Sequence, residues 1–388
     1  MYTFGNQLQY YSANMLLHPL QSVAASDQRA TDTPPLVVLA ADDITGACDS
    51  AAQFAHQGHG ARLLLQGEKA GESVWAFSTG TRNASAEAAS AALQQRLRAL
   101  PQEYLRRSKF FQKIDSAGRG PIAASILAAE AVVQPDIILC APAFPALGRV
   151  VRHGTLHVRD IAGQDTSIHL ASLFPGNVQS RIGNIPNGST AYLQTAMLDA
   201  KARGQNLWLC DNDSDQDLRV LVQAASRLSL RILWSGSGGL AFALASELLP
   251  PPLLLHSRVP KPLGGTSLLV CGTTHPVTRL QLQSLHAQRK VPILEVNWSS
   301  TSAKEVREAF MHTRPKSLIL TGGDTAIFVL NALDSESVLL GGELTSGLPW
   351  GRISGGLADG CHVVTKSGGF GDESSLIAAA DFCTRGGR

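Results

Sequence analysis

The chain has 388 residues, 44% of them hydrophobic and 6% aromatic, and 33 Lys and Arg stand against 31 Asp and Glu for a net charge of +2. That balance, with no block of basic residues, excludes a nucleic-acid binder that works by neutralising phosphates; the longest apolar run, near 137–148, is broken by Pro142 and Pro145 and is no membrane span. The length points to two domains rather than one.

The first 26 residues contain no Asp, Glu, Lys or Arg and offer neither a basic start nor an apolar stretch of signal-peptide kind. Residues 1–34 therefore read as an extension that ends at Pro34-Pro35. "PLVVLAADD" is a short buried strand ending in two aspartates, and a helix with Ala52, Phe54 and Ala55 on one side follows it and stops at Gly58. "ARLLLQ" and "SVWAFSTGTR" are the next strands, and "SAEAASAALQQRLRAL" is a helix that ends before Pro101. "SKFFQKIDS", "PDIILCAPAF", "NLWLCDN" and "RILWSGSGG" continue the rhythm. Continuous apolar strands alternating with helices predict a parallel sheet covered on both faces.

The segment 248–265 breaks the pattern with five prolines and reads as a linker. After it come "SLLVCGTTHP", "VPILEVNW", "SLILTGGDTA" and "CHVVTKSGGFGD". The expected fold is α/β with two domains, 35–250 and 266–388, joined through 251–265. Each is a mostly parallel sheet flanked by helices, with a ligand cleft between them. Six cysteines without a CxxC pair predict buried thiols in a reducing compartment, hence a cytoplasmic protein. Neither a nucleic-acid nor a membrane partner is expected, and the oligomeric state stays open, a homodimer included.

In open α/β sheets ligands bind beyond the carboxyl ends of the strands, so the residues that follow each strand are the candidate site. In the first domain these include Asp42, Asp43, Thr45 and Gly46, then Arg82, then Lys113, Asp115, Ser116, Arg119 and Gly120. Lys113, Arg82 and Arg119 suit a carboxylate, the arginines bidentately. Asp42, Asp43 and Asp115 can accept hydrogen bonds from hydroxyls, and Asp43, or else Asp115, can take a proton as general base. The purely structural alternatives are an aspartate capping the next helix and a surface Lys113–Asp115 ion pair. A carboxylate-bearing polyol would use all of these groups at once.

The second domain's strand ends hold Thr273 and Thr274, then Gly322, Gly323, Asp324 and Thr325, then Lys366, Gly368 and Gly369. Glycine and threonine turns that open a helix present bare backbone N–H groups to phosphate, and two of them can cradle a polyphosphate. The alternative is that the glycines merely close tight turns. No GxxxxGK[ST] loop occurs. "WSGSGGLA" lacks the GxGxxG spacing of a dinucleotide site, which disfavours a nicotinamide-linked oxidoreductase. His153 and His157 in "HGTLH" have no third ligand near them, and no metal site is expected from protein side chains.

Taken in order, "ADDITGACDSAAQFAHQG", "KIDSAGRG", "APAFPALGRVVRHG", "SGSGGLA", "TGGDTA" and "KSGGFGDE" resemble the four-carbon acid sugar kinase family over about residues 36–378. The resemblance implies an N-terminal domain that binds an acid sugar and a C-terminal domain that binds ATP with magnesium, for phosphorylation of threonate, erythronate or 3-oxo-tetronate. It also implies that Gly322 to Thr325 form the nucleotide turn, with Gly369 in a second glycine loop and Thr273 near a family serine. The family commonly reads Asp-Ser-Thr-Leu-Arg-Gly-Asn where this chain has Asp115 to Pro121 with Ala117, Gly118 and Pro121 as departures. A catalytically weak relative that binds sugar acid and nucleotide is therefore the alternative to an active kinase.

Overall fold

Immediately after Pro35 the apolar run forms β1 (Val37–Ala41), buried at every residue. The computed structural model describes residues 34–66, 71–159, 165–249 and 263–384. The extension at 1–33 and the proline-rich segment at 250–262 lie outside them.

Around β1 stand β2 (Ala61–Leu64), β3 (Val74–Ser78), β4 (Lys109–Lys113), β5 (Ile137–Ala141), β9 (Ile182–Ile185), β10 (Leu207–Cys210) and β11 (Ile232–Gly236). Their spatial order is β2-β3-β1-β4-β11-β5-β10-β9, and every neighbouring pair is parallel. The helices that connect them cover both faces: α1 (Ile44–His56), α2 (Ala86–Ala99), α3 (Gln102–Arg107), α4 (Ile122–Val133), α5 (Thr190–Ala202), α6 (Asp215–Ser226) and α7 (Gly238–Glu247).

Between β5 and β9 a separate antiparallel sheet inserts, made of β6 (Arg149–Arg152), β7 (Thr155–Arg159) and β8 (Asp165–His169). Its first hairpin turns at His153 and Gly154, both at positive φ (49° and 69°), as a two-residue turn demands. The Asp211 carboxylate accepts both turn N–H groups at 2.8 Å. "HGTLH" is thus a turn and a strand.

In the second half β13 (Ile293–Glu295), β12 (Ser267–Cys271), β14 (Ser317–Thr321) and β17 (His362–Lys366) form a parallel sheet in that order. Its helices are α8 (Pro276–Gln288), α9 (Ala303–Thr313), α10 (Gly323–Ala332) and α11 (Ser375–Thr384). The hairpin of β15 (Ser337–Glu343) and β16 (Pro349–Ser354) then runs antiparallel beside β17 and pairs antiparallel with β2, from Ser337 opposite Leu64 to Leu340 opposite Ala61. The two expected parallel sheets are present, but the hairpin fuses them into one sheet of 14 strands.

Helix α1 lies at the join. All of Ile44 to Ala55 is buried, and the helix packs on β3 and α7 of the first half and on β15 and α10 of the second. Four alanines and a glycine keep it slim enough to be covered on every side. All six cysteines are buried and free. Among the described residues no helix is long and apolar enough to cross a membrane.

Candidate active site

Asp43 caps α1: its Oδ1 accepts the Gly46 N–H at 2.9 Å, and its Oδ2 accepts the Thr45 hydroxyl at 2.6 Å. Capping is therefore one of its roles, as aspartate at this position allows. Arg82, delivered by the turn after β3, is the hub of the cluster. Its Nε and Nη2 fork onto Asp42 at 2.9 and 2.6 Å, Nη2 also lies 2.8 Å from Asp43, and Nη1 lies 3.3 Å from Asp115. Burial works against that guanidinium's charge, but Asp43, Asp42 and Asp115 overcome it and raise its pKa. Burial also raises Asp42, against the pull of Arg82.

The loop after β4 supplies the other wall. Asp115 accepts the backbone N–H groups of Ala117 (2.9 Å) and Arg119 (3.3 Å) and both arms of the Arg119 fork, at 3.1 and 2.8 Å. Burial would lift its carboxyl, yet Arg119, Arg82 and Lys113 together hold it well below the ordinary range. Lys113 is buried and donates to the Ile114 carbonyl at 2.9 Å; it does not form the surface pair with Asp115 weighed from the sequence. Two glycines make room for this density of charge. A Cβ on Gly46 would lie 2.5 Å from Asp43 Oδ1 and 3.1 Å from Lys113 Nζ, and one on Gly120, at φ +84°, would lie 3.1 Å from Asp42 Oδ2. Asp42, Asp43, Thr45, Gly46, Arg82, Lys113, Asp115, Ser116, Arg119 and Gly120 thus converge on one place, but Arg82 and Arg119 are matched there to the protein's own carboxylates.

Across from this cluster the second half presents three turns. Gly322, at φ +100°, opens α10 without a side-chain cap, so the helix N-terminus is free to meet an anion. Thr325 ties this turn to the first one by accepting the Gly272 N–H at 3.0 Å. Thr273 packs against the third, where a Cβ on Gly368 would lie 2.7 Å from its hydroxyl and one on Gly369 would lie 3.0 Å from His275 Nε2. Thr274 is exposed at the mouth. Lys366 is fully buried, and its ammonium donates to Thr278 Oγ1 and to the carbonyls of Ser367, Gly368 and Phe370, at 2.8 to 3.3 Å. It braces the glycine loop from beneath. Asp324 is exposed, yet its carboxyl is raised, by lost hydration in the cleft and by the negative Asp43 opposite.

The two sets meet. A Cβ on Gly323 would lie 3.1 Å from Asp43 Oδ2 and 3.6 Å from the Thr45 hydroxyl. Behind this contact the cavity measures about 10 Å³, with Asp49, Lys113, Ser116, Ser367 and Phe370 in its wall, which is room for about one water. Among the described residues no group of three or more His, Cys, Asp or Glu is arranged to hold a metal ion.

Several site residues were not marked by the sequence. Asp49, two turns along α1, is buried and its carboxyl shares a hydrogen bond with Glu343 of β15. Gly238 of the "SGSGG" turn lies against it, since a Cβ there would come within 2.8 Å of Asp49 Oδ2. Arg149 donates to Ser116 at 3.0 Å and lies over the Phe370 ring, 4.9 Å from its centroid. The signal available for Arg149 was its place after Gly148 in "PALGRVV"; Asp49 and Glu343 gave none.

The model of a sugar-binding N-terminal domain matches residues 37–244, and that of a nucleotide-binding C-terminal domain matches residues 299–376. The chain is 30% identical to a D-threonate kinase of Bordetella bronchiseptica, over 89% of this chain and 97% of that protein. The chain belongs to the four-carbon acid sugar kinase family. Other relatives in the family differ in the substrate they are named for. A D-erythronate kinase of Heliobacterium modesticaldum and a 3-oxo-tetronate kinase of Brucella melitensis are each 22% identical over 89% of this chain, and the matches cover 96% and 95% of those proteins. A crystal structure from Haemophilus influenzae shares the fold at a TM-score of 0.62 and 18% identity, covering 88% of this chain and 99% of that one. In this kinase family's terms, the cluster around Arg82 belongs to the sugar-binding half and the Gly322 turn to the nucleotide-binding half.

Proposed function

We propose that the protein is an ATP-dependent kinase that phosphorylates a hydroxyl of a four-carbon sugar acid. One observation carries the reading: the Asp43 carboxylate, rooted in the acceptor cluster, faces the uncapped N-terminus of α10 across the cleft. The residues present fit a nucleotide, because helix amides without a side-chain cap and close-packed glycine turns are the groups that hold phosphates. When bound, magnesium-ATP supplies the phosphoryl group; the N–H groups of the Gly322 to Thr325 turn would hold its phosphates, and Asp324 on that turn is the carboxylate that would face the metal.

Asp43 is the better-placed general base. Both carboxylates have both oxygens engaged, Asp115 by Arg119, backbone N–H groups and Arg82 and Asp43 by Thr45, Gly46 and Arg82, but Asp43 alone of the two lies at the point where the halves touch, beside Gly323. Its part is to orient the acceptor hydroxyl and accept its proton, and the rest of catalysis is positioning and charge. A cavity of about 10 Å³ has room for about one water and none for a four-carbon acid, so the cleft must open to admit the acid and close before transfer, which protects ATP from hydrolysis.

Incubation of the protein with ATP, magnesium and threonate, erythronate or 3-oxo-tetronate tests this, read by ADP release and by the phosphate ester formed. Acid-dependent turnover is expected with at least one of them, and Asp43→Asn should lower kcat by about 10²–10⁴-fold while leaving ATP binding near wild type. Binding of acid and nucleotide without any ester would overturn the kinase reading in favour of a binding protein.

A further inference from the structure

An acid substrate brings a carboxylate that some cation must meet, and two of the cations marked in the sequence are already matched. Arg82 is forked onto Asp42 and touches Asp43 and Asp115, and Arg119 is forked onto Asp115. Lys113 donates to the Ile114 carbonyl. Arg149 differs. Its Nη1 donates to the neutral Ser116 hydroxyl at 3.0 Å, its flat face covers Phe370, and its Nε is buried without a partner. Among the described residues no carboxylate lies within ion-pair distance of it. Burial lowers the pKa of this guanidinium, and the more distant Asp115 and Asp49 do not make up the loss. Both residues it touches, Ser116 and Phe370, line the cavity.

Its position is built into the backbone. Phe144 and Arg149 exchange hydrogen bonds, with Phe144 N–H to Arg149 O at 2.8 Å and Arg149 N–H to Phe144 O at 3.2 Å. The loop they close contains the helical turn Pro145–Leu147, and Gly148 ends that turn at φ +70°. Ser116 comes from the sugar-binding half and Phe370 from the loop after β17, so Arg149 touches both halves of the closed cleft.

We propose that Arg149, rather than Arg82 or Arg119, clamps the carboxylate of the acid substrate. A half-buried planar fork with an unpartnered Nε–H is the donor set that a carboxylate takes bidentately, and the anion would supply the counter-charge that the folded chain lacks there. The inference rests on the sugar-acid kinase reading and sharpens it: the acid's charged end lies at Ser116 and Phe370, and the reacting hydroxyl lies toward Asp43.

Titration calorimetry on wild type, Arg149→Met and Arg149→Lys tests it, with the preferred four-carbon acid and its uncharged amide as ligands. Arg152→Met, on the same strand but exposed and paired with Asp213, serves as the control. Arg149→Met is expected to weaken the acid by about 10- to 100-fold, as for loss of a charge-assisted hydrogen bond. Arg149→Lys should recover part of that affinity. The amide should bind wild type and Arg149→Met equally, the KM for ATP should not change, and Arg152→Met should match wild type. If the wild type binds no acid of the panel, the kinase reading and this inference fall together. If it binds one and Arg149→Met binds it as tightly, the Arg149 assignment alone falls. An equal loss for acid and amide would make the residue a structural brace and would also overturn the assignment.

Discussion

Asp43 and Gly323 stand close enough across the cleft that a methyl group on the glycine would come within 3.1 Å of the Asp43 carboxylate. Gly323 is the first residue of α10 and is not among the glycines at positive φ, so alanine fits its backbone and favours the helix by up to about 1 kcal/mol. Gly323→Ala is therefore expected to keep or raise the melting temperature while lowering kcat and raising the KM for ATP. Binding of the acid alone should be unchanged. Wild-type kinetics in this variant would mean that the contact is not where the two substrates meet.

Arg82 neutralises three carboxylates at once. Arg82→Met leaves Asp42, Asp43 and Asp115 facing one another with little solvent, and breaking buried pairs in this way costs about 3–5 kcal/mol. Denaturant unfolding should show that loss, and Arg82→Lys should recover only part of it because a single ammonium cannot fork onto Asp42. A loss below about 1 kcal/mol, the range of an exposed ion pair, would show that the cluster is solvated.

Glu343 predicts a pH dependence. Burial first, then the negative Asp49 beside it, raises its carboxyl well above the ordinary 4.5, against hydrogen bonds from Gln53 and the Gly347 N–H. Asp49 is raised as well, by burial and by Asp43, against Lys113 and Arg149. A carboxyl that holds its proton more tightly folded than unfolded stabilises fully below its unfolded pKa and loses that contribution as pH rises through the folded value. The seam between α1 and β15 should weaken as the pH climbs from acid toward alkaline. Glu343→Gln keeps a hydrogen bond to Asp49 and has no proton to lose. Its melting temperature should exceed the wild type's by a margin that grows with pH, and a constant margin would count against a shared proton.

The strand-end clusters were legible because each is local: a short apolar run, a polar turn and a helix start together in the chain, as at Asp43 and at Gly322. The paired character of the cations was not. Arg82 and Arg119 have the chemistry of carboxylate binders, but only the folded chain reveals that Asp42 and Asp115 already occupy them. Asp49 looks like one more polar residue of a helix until Glu343, from the far half of the chain, is placed against it. The hairpin of β15 and β16 escaped for a different reason. Its strands are rich in glycine and alternate buried with half-exposed residues, so they lack the continuous apolar signature that marked the parallel strands.

That hairpin has a consequence for how the protein is made. Strand β2 ends the first half's own sheet, and among the described residues its outer edge is paired with 337 to 340, while Glu336 accepts the N–H groups of Leu65 and Gln66 just beyond it. Until the ribosome has delivered that segment, the nascent sugar-binding half carries an open row of N–H and C=O groups beside an apolar strand, which is a template for joining a second chain. Residues 34–249 produced alone should accumulate as aggregates, and simultaneous production of residues 263–384 should restore soluble material as a two-piece complex. Soluble, monomeric 34–249 without its complement would show that the edge is guarded by something other than the hairpin.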